Sequence, residues 1–169
     1  MKNENINISN AEGKKKIIIV GTAWPYRGGL ATYNERLARE FVKEGHSVEI
    51  FTFKLQYPSF LFPGKTQFSD ENAPNDLKIH RTINSLNPVT WIKTGRLIRK
   101  KNADIVIFCY WMAFFAPCFA TIARFAQRNG VRMLGLIHNM IPHEPTILDK
   151  IFPRFFINCN TRKVANFLI

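Results

Sequence analysis

The chain has 169 residues, 46% of them hydrophobic and 21% charged, which supports one buried core, is too short for two ordinary domains, and excludes a disordered or collagen-like chain. Twenty-four Lys and Arg against 12 Asp and Glu leave a formal charge of +12, so the favoured partners are anionic: nucleotide phosphates, lipid headgroups or nucleic acid. Cys109, Cys118 and Cys159 are scattered without Cys/His ligand spacing; they indicate neither a disulfide framework nor a zinc site, and a reducing cytoplasm is the default.

Residues 1–13 are polar and read as a disordered leader. After Lys14-Lys15-Lys16, the β-branched run Ile17 to Thr22 predicts a strand buried on both faces, and it is too short for a secretory signal. Trp24-Pro25-Tyr26-Arg27-Gly28-Gly29 is a loop by its proline and paired glycines. Leu30, Tyr33, Leu37, Ala38, Phe41 and Val42 then recur at helical spacing, with Thr32 and Glu35 as a capping box and Gly45 as the stop. Ser47 to Phe53 predicts the second strand, 57–76 a long aromatic and proline-rich loop, and Leu77 to Ile83 the third strand. Asn87 and Pro88 open a basic helix to about Lys101. Asp104 to Tyr110 is the fourth strand, Ala113 to Asn129 a helix stopped by Gly130, and Val131 to Ile137 the fifth strand, with a further strand beginning in Val164 to Ile169. The uncharged run Ile105 to Ala123 approaches bilayer-spanning length, but Pro117 and its polar residues favour strand, turn and helix start over a membrane helix.

Strands alternating with helices imply an α/β fold: a Rossmann-like, doubly wound, mostly parallel sheet with helices on both faces, spanning 14–169. Ligands in such sheets bind beyond the carboxyl ends of the strands. The loops at that edge are Ala23 to Leu30, Tyr110 to Ala113 and His138 to Glu144.

Gly28 and Gly29 open a helix whose amides can approach an anion closely, with Arg27 beside them; the competing reading is a tight turn that needs glycine for its dihedrals alone. The segment lacks both the GxGxxG and the GxxxxGK[ST] spacing, which counts against hydride transfer and P-loop hydrolysis. His138, Asn139, His143 and Glu144 concentrate polar groups after the fifth strand, where a core would not tolerate them unsatisfied. His138 suits holding hydroxyls or a developing charge. Two His and one Glu make a poor ligand set, so no metal is expected, and His143 with Glu144 equally suits a helix cap. Lys78 to Lys101 holds seven Lys or Arg and no acid. Lys93, Arg96, Lys100 and Lys101, interleaved with Trp91, Ile92, Leu97 and Ile98, fit either an anionic membrane surface or a solvated helix face. No nucleic-acid-binding signature accompanies the charge, so nucleic acid is not an expected partner.

Trp24-Pro25 to Gly28-Gly29-Leu30, Leu37-Ala38 to Glu44-Gly45-His46-Ser47-Val48, and His138-Asn139 to Pro142-His143-Glu144, in that order, resemble the N-terminal domain of GT-B-fold glycosyltransferases of family four, the retaining group 1 enzymes. The resemblance runs from about Lys15 to the end of the chain. It implies transfer of a sugar from a nucleotide-sugar donor to a polysaccharide or glycolipid acceptor, with retained configuration and neither metal nor other cofactor. It places Gly28 and Gly29 near the donor phosphates and the acceptor, with Arg27 adjacent, and makes His138 the catalytic histidine near the transferred sugar. Acceptor recognition falls to the 57–63 loop, to Tyr110, Trp111 and Met112, and to Asn139 and Glu144. Family members carry a second Rossmann-like domain that binds most of the nucleotide. The expectation is therefore part of an enzyme, with little activity alone, that is cytoplasmic and peripheral on the inner membrane face. The alternative is a non-catalytic module of the same fold that binds anionic lipid or phosphate ligands.

Overall fold

The computed structural model describes residues 13–58 and 67–138, together with the backbone of Asn166–Leu168. The expected leader, the rest of the aromatic loop, Asn139, His143, Glu144 and Cys159 lie outside the described residues.

Five β-branched or basic residues form β1, Lys16–Val20. Ile17 and Ile19 face one side of the sheet and Ile18 and Val20 the other, and both sides are covered, as the unbroken apolar run requires. β1 pairs in parallel with β2 (Ser47–Leu55) on one side and β4 (Ile105–Tyr110) on the other. β3 (Lys78–Asn84) extends the sheet beyond β2, and β5 (Arg132–Ile137) with β6 (Asn166–Leu168) extends it beyond β4. The order β3-β2-β1-β4-β5-β6 reverses direction between β1 and β4. A cleft at the carboxyl ends of those two strands is the expected ligand position in this topology.

α1 (Gly29–Lys43) packs Ala38, Tyr33, Leu37 and Phe41 on the face formed by Ile17, Ile19, Val48, Ile50 and Ile107. α2 (Pro88–Lys100) and α3 (Ala116–Ala126) cover the opposite face, where Phe51, Phe53, Phe108, Phe115 and Phe119 fill the core. Several of these rings meet at tilted or edge geometries of 5–6 Å, the arrangement their quadrupoles favour. α2 and α3 approach closely at Gly95. A Cβ there would stand 2.6 Å from Phe125 Cβ and 2.7 Å from the Ile122 carbonyl oxygen.

The α2 boundary follows its sequence signals. The Asn87 side chain accepts from the Val89 amide at 3.0 Å, with Pro88 in the first turn. Two other boundaries differ from expectation. α1 begins at Gly29 with Gly28 as its cap and no side-chain cap, so Thr32 and Glu35 do not form a capping box. Glu35 instead accepts from the Trp24 amide at 2.8 Å and thereby ties the preceding loop to the helix. The segment predicted as one helix over 113–129 is a 3-10 turn, Ala113–Phe115, followed by α3, which stops at Ala126 because Gln127 is extended. Gly130, at φ 84°, serves the turn into β5 rather than the end of the helix.

The uncharged run 105–123 is therefore β4, a turn and most of α3, and no helix among the described residues is long and apolar enough to cross a membrane. Cys109 and Cys118 are buried free thiols, and burial pushes the Cys109 thiol up to about 12.

Candidate functional site

The loop from Gly21 to Gly28 leaves the carboxyl end of β1 under close steric control. A Cβ on Gly21 would come within 2.9 Å of both Asn34 Nδ2 and Cys109 Cβ, so glycine here lets α1 lie against β1 and β4. Asn34, fully buried in α1, donates to the Thr22 carbonyl at 2.8 Å. Thr52 Oγ1 accepts from the Ala23 amide at 3.0 Å, and Thr22 Oγ1 donates to Gln56 Oε1 at 2.6 Å. Tyr26 is buried and its hydroxyl accepts from the Gln56 amide at 3.1 Å. These bonds between β1, the end of β2 and α1 hold the loop so that Arg27, Gly28 and Gly29 emerge exposed at its tip.

Gly28 has φ 118° and ψ 169°, a conformation open to glycine and strained for other residues. Gly29 has no such restriction, and a Cβ on it would meet nothing within 4 Å. The first turn of α1 holds no acidic residue and no side chain caps it. Its leading N–H groups and the positive end of the helix dipole thus face the carboxyl edge of the sheet, a ready environment for an anion. Arg27 stands beside it, with its backbone amide tied to the Gln67 carbonyl at 3.1 Å.

His138 follows β5 at the same edge, and its amide donates to the Tyr110 carbonyl at 2.9 Å. Its ring meets the Tyr33 ring edge-on, with centroids 4.8 Å apart. Tyr33 lies four residues into α1 from Gly29, so this contact brings the end of β5 beside the first turns of α1. Sequence reasoning read Tyr33 only as part of the apolar face of a helix; its place one turn after the paired glycines is the signal that could have marked it. Nε2 of His138 is buried and has no hydrogen-bond partner among the described residues. Burial also holds the imidazole pKa below its ordinary value, because the low-dielectric surroundings penalise the cation. The ring is neutral at pH 7, and a buried nitrogen without a partner is a feature that a folded core does not usually leave unexplained.

The predicted acceptor residues separate. Tyr110 is 2% exposed and belongs to the core beneath α3, so it is a packing residue rather than a contact for a bound molecule. The reason is strand alternation: Val106, Phe108 and Tyr110 all point to the α2–α3 face. Trp111, the next residue, is half-buried and donates from Nε1 to the Tyr57 hydroxyl at 2.8 Å, and it stacks at a tilt on Phe115 with centroids 4.6 Å apart. Met112 beside it is 44% exposed. Trp111, Tyr57 and Met112 thus form an amphipathic rim at the carboxyl edge of β4.

The basic residues of α2 also divide. Lys93, Arg96 and Lys100 are exposed, whereas Lys101 is not part of that face: its Nζ lies 2.6 Å from the buried carboxylate of Glu49. Glu49 also meets His80 Nε2 at 2.7 Å and Lys16 Nζ at 3.8 Å. Burial alone would raise the Glu49 pKa, but the hydrogen bonds from Lys101 and His80 hold it below its ordinary value. Among the described residues no three or more His, Cys, Asp or Glu gather into a metal-binding group.

Residues 27–165 match the profile of Glycosyltransferase Family 4. Among solved structures, the chain is similar to an alpha-glucosyltransferase in complex with UDP and a 13-mer DNA containing a HMU base, at 12% identity and a TM-score of 0.57, over 91% of this chain and 38% of that one. It is also similar to an alpha-glucosyltransferase in complex with UDP-glucose and DNA containing an abasic site, at 12% identity and a TM-score of 0.54, over 92% of this chain and 42% of that one. At these identities the likeness is one of fold, and the chain spans less than half the length of either enzyme. No curated protein matches the sequence.

Proposed function

Because the chain belongs to Glycosyltransferase Family 4, we propose that it is the acceptor-side domain of an enzyme that moves a sugar from a nucleotide-sugar donor to a polysaccharide or glycolipid acceptor, with retention of configuration and without a metal. The observation that carries this reading is the meeting of His138 with the first turns of α1 through Tyr33, beside the point where strand order reverses between β1 and β4. Departure of a nucleoside diphosphate from a sugar builds negative charge on the leaving oxygen. The uncapped amides of α1 and the Arg27 guanidinium are the groups in this chain that would stabilise it. The neutral imidazole of His138 would hydrogen-bond the sugar while positive charge develops at its anomeric carbon. The rim of Tyr57, Trp111 and Met112 offers apolar faces with polar tips, which suits an acceptor carrying hydroxyls on one side and lipid on the other.

Turnover of nucleotide sugars by a full-length transferase containing these residues tests this reading, with the anomeric configuration of the product read by NMR. A retained anomer and activity undiminished by a chelator are expected. An inverted product, or activity that needs an added divalent ion, would refute the respective part. Gly29→Val is the sharpest probe of the loop. The new side chain has open space and no φ penalty, so folding should be unchanged while a branched Cβ obstructs anion approach to the helix start. A rise in donor KM of about tenfold corresponds to losing one charge-assisted hydrogen bond. Unaltered kinetics would remove the glycine loop from the donor site.

A peripheral position on the inner face of the cell membrane is supported by α2. There Lys93, Arg96 and Lys100 are exposed beside Val89, 56% exposed, and Leu97, 37% exposed, with Leu86 just ahead of the helix. Attraction to an anionic leaflet is worth about 1 kcal/mol per basic residue near the surface. The triple change to Gln should therefore weaken binding to phosphatidylglycerol vesicles by about two orders of magnitude. Co-sedimentation equal to that of the parent chain would return α2 to a solvated face.

A further inference from the structure

The last turns of α2 and α3 converge at the sheet edge opposite His138 on an open, solvent-facing cavity of about 450 Å³ lined by Arg99, Arg124, Gln127, Arg128 and Asn129. None of the predicted site residues lines it. The length of α3, about 16 Å at 1.5 Å per residue, separates it from the carboxyl edge of the sheet.

Three guanidiniums share this cavity with two carboxamides and no carboxylate. The nearest acid along the chain, Asp104, is engaged elsewhere, accepting from the Lys16 amide at 2.7 Å. Among the described residues no acid pairs with Arg99, Arg124 or Arg128. Basic residues near helix carboxyl ends commonly answer the helix dipole. Two such ends supply only about one negative charge between them, however, against three full positive charges. Arg128 is held in place from behind, donating from Nη2 to the Ala103 carbonyl at 3.2 Å. Its Nε is buried without a hydrogen-bond partner among the described residues, so the guanidinium is not neutralised from behind.

We propose that this cavity is a second anion site, taking a phosphate-bearing ligand. Planar guanidinium forks match phosphate oxygens in pairs. The amides of Gln127 and Asn129 can both donate and accept, which suits the hydroxyls of the group that carries the phosphate. The ligand is either the headgroup of an anionic phospholipid or a soluble phosphorylated compound.

The test is a titration of inorganic pyrophosphate into the nitrogen-labelled full chain, followed by NMR at the side-chain amides of Gln127 and Asn129. Saturable shifts at both are expected. The double variant Arg99→Gln, Arg124→Gln leaves the Arg128 anchor intact and breaks no ion pair among the described residues. It should raise the midpoint at these two amides by about tenfold or more, while any response around Gly28 and Gly29 persists. Absence of saturable shifts at Gln127 and Asn129, or an unchanged midpoint in the double variant, would overturn the proposal. Phosphatidylglycerol vesicles distinguish the sources. Co-sedimentation that the double variant loses marks a lipid headgroup. Pyrophosphate binding with no vesicle binding dependent on Arg99 and Arg124 marks a soluble phosphate.

Discussion

Replacing His138 with Ala should lower turnover of a full-length transferase containing these residues by about 10²–10³-fold, the usual effect of removing one preorganised group from a charge-stabilising site, while the unfolding midpoint moves little. The asymmetry follows from the environment of the ring. Its Nε2 has no hydrogen-bond partner among the described residues, so truncation leaves no protein group newly unsatisfied. The loss to the fold is chiefly the edge contact with Tyr33, worth about 0.5–1.5 kcal/mol for an aromatic pair. Because burial keeps the imidazole pKa low, protonation opposes folding: the unfolded chain binds the proton more tightly, so this group withdraws stability as pH falls through the ordinary histidine range. His138→Ala should remove that contribution and flatten the acid limb of the stability curve. Parallel losses of turnover and stability would instead make His138 a structural residue.

Gly95→Ala should destabilise the domain, although a glycine in an exposed helix interior would gain about 1 kcal/mol from the same change. The sign reverses because the added methyl would stand 2.6 Å from Phe125 Cβ and 2.7 Å from the Ile122 carbonyl. The second of these is backbone and cannot swing aside. Forcing α2 and α3 apart costs about 1–3 kcal/mol by the measure of other overpacked cores, and Gly95→Val should cost more. Urea unfolding would read this as a lower midpoint at constant slope. A midpoint that rises for Gly95→Ala would mean that the two helices separate freely.

Much of the architecture was legible because its signals are local. Ile17 to Val20 has the composition of a doubly buried strand, and Asn87-Pro88 carries its own cap. The position of Gly28 at the start of α1 was equally plain, since few other residues suit its positive φ. What escaped depended on contacts distant in sequence. Glu35 was available to a capping box but bonds the Trp24 amide, because the helix starts earlier than its polar residues suggest. Tyr110 and Trp111 are adjacent letters of one motif, yet pleating sends the first into the core and leaves the second at the rim. Lys101 reads as one more charge on a basic helix until β2 brings Glu49 beneath it. Gly95, in the interior of α2, is the place where α3 fits, and only the packing of the two helices reveals it. The guanidinium cavity joins residues from two helix ends, and no spacing rule connects Arg99 to Arg124.

The central place of β1 has a consequence for synthesis. Its partners arrive late: Lys16 bonds Asp104, 88 residues away, and only with β4 is the second side of the strand paired. Until then a short, wholly apolar β-branched segment is carried on the nascent chain with open hydrogen-bonding groups, the profile of a segment prone to pair with another copy. Lys14, Lys15 and Lys16 stand immediately before it. Like charges at these positions would oppose any second chain that approaches the same edge.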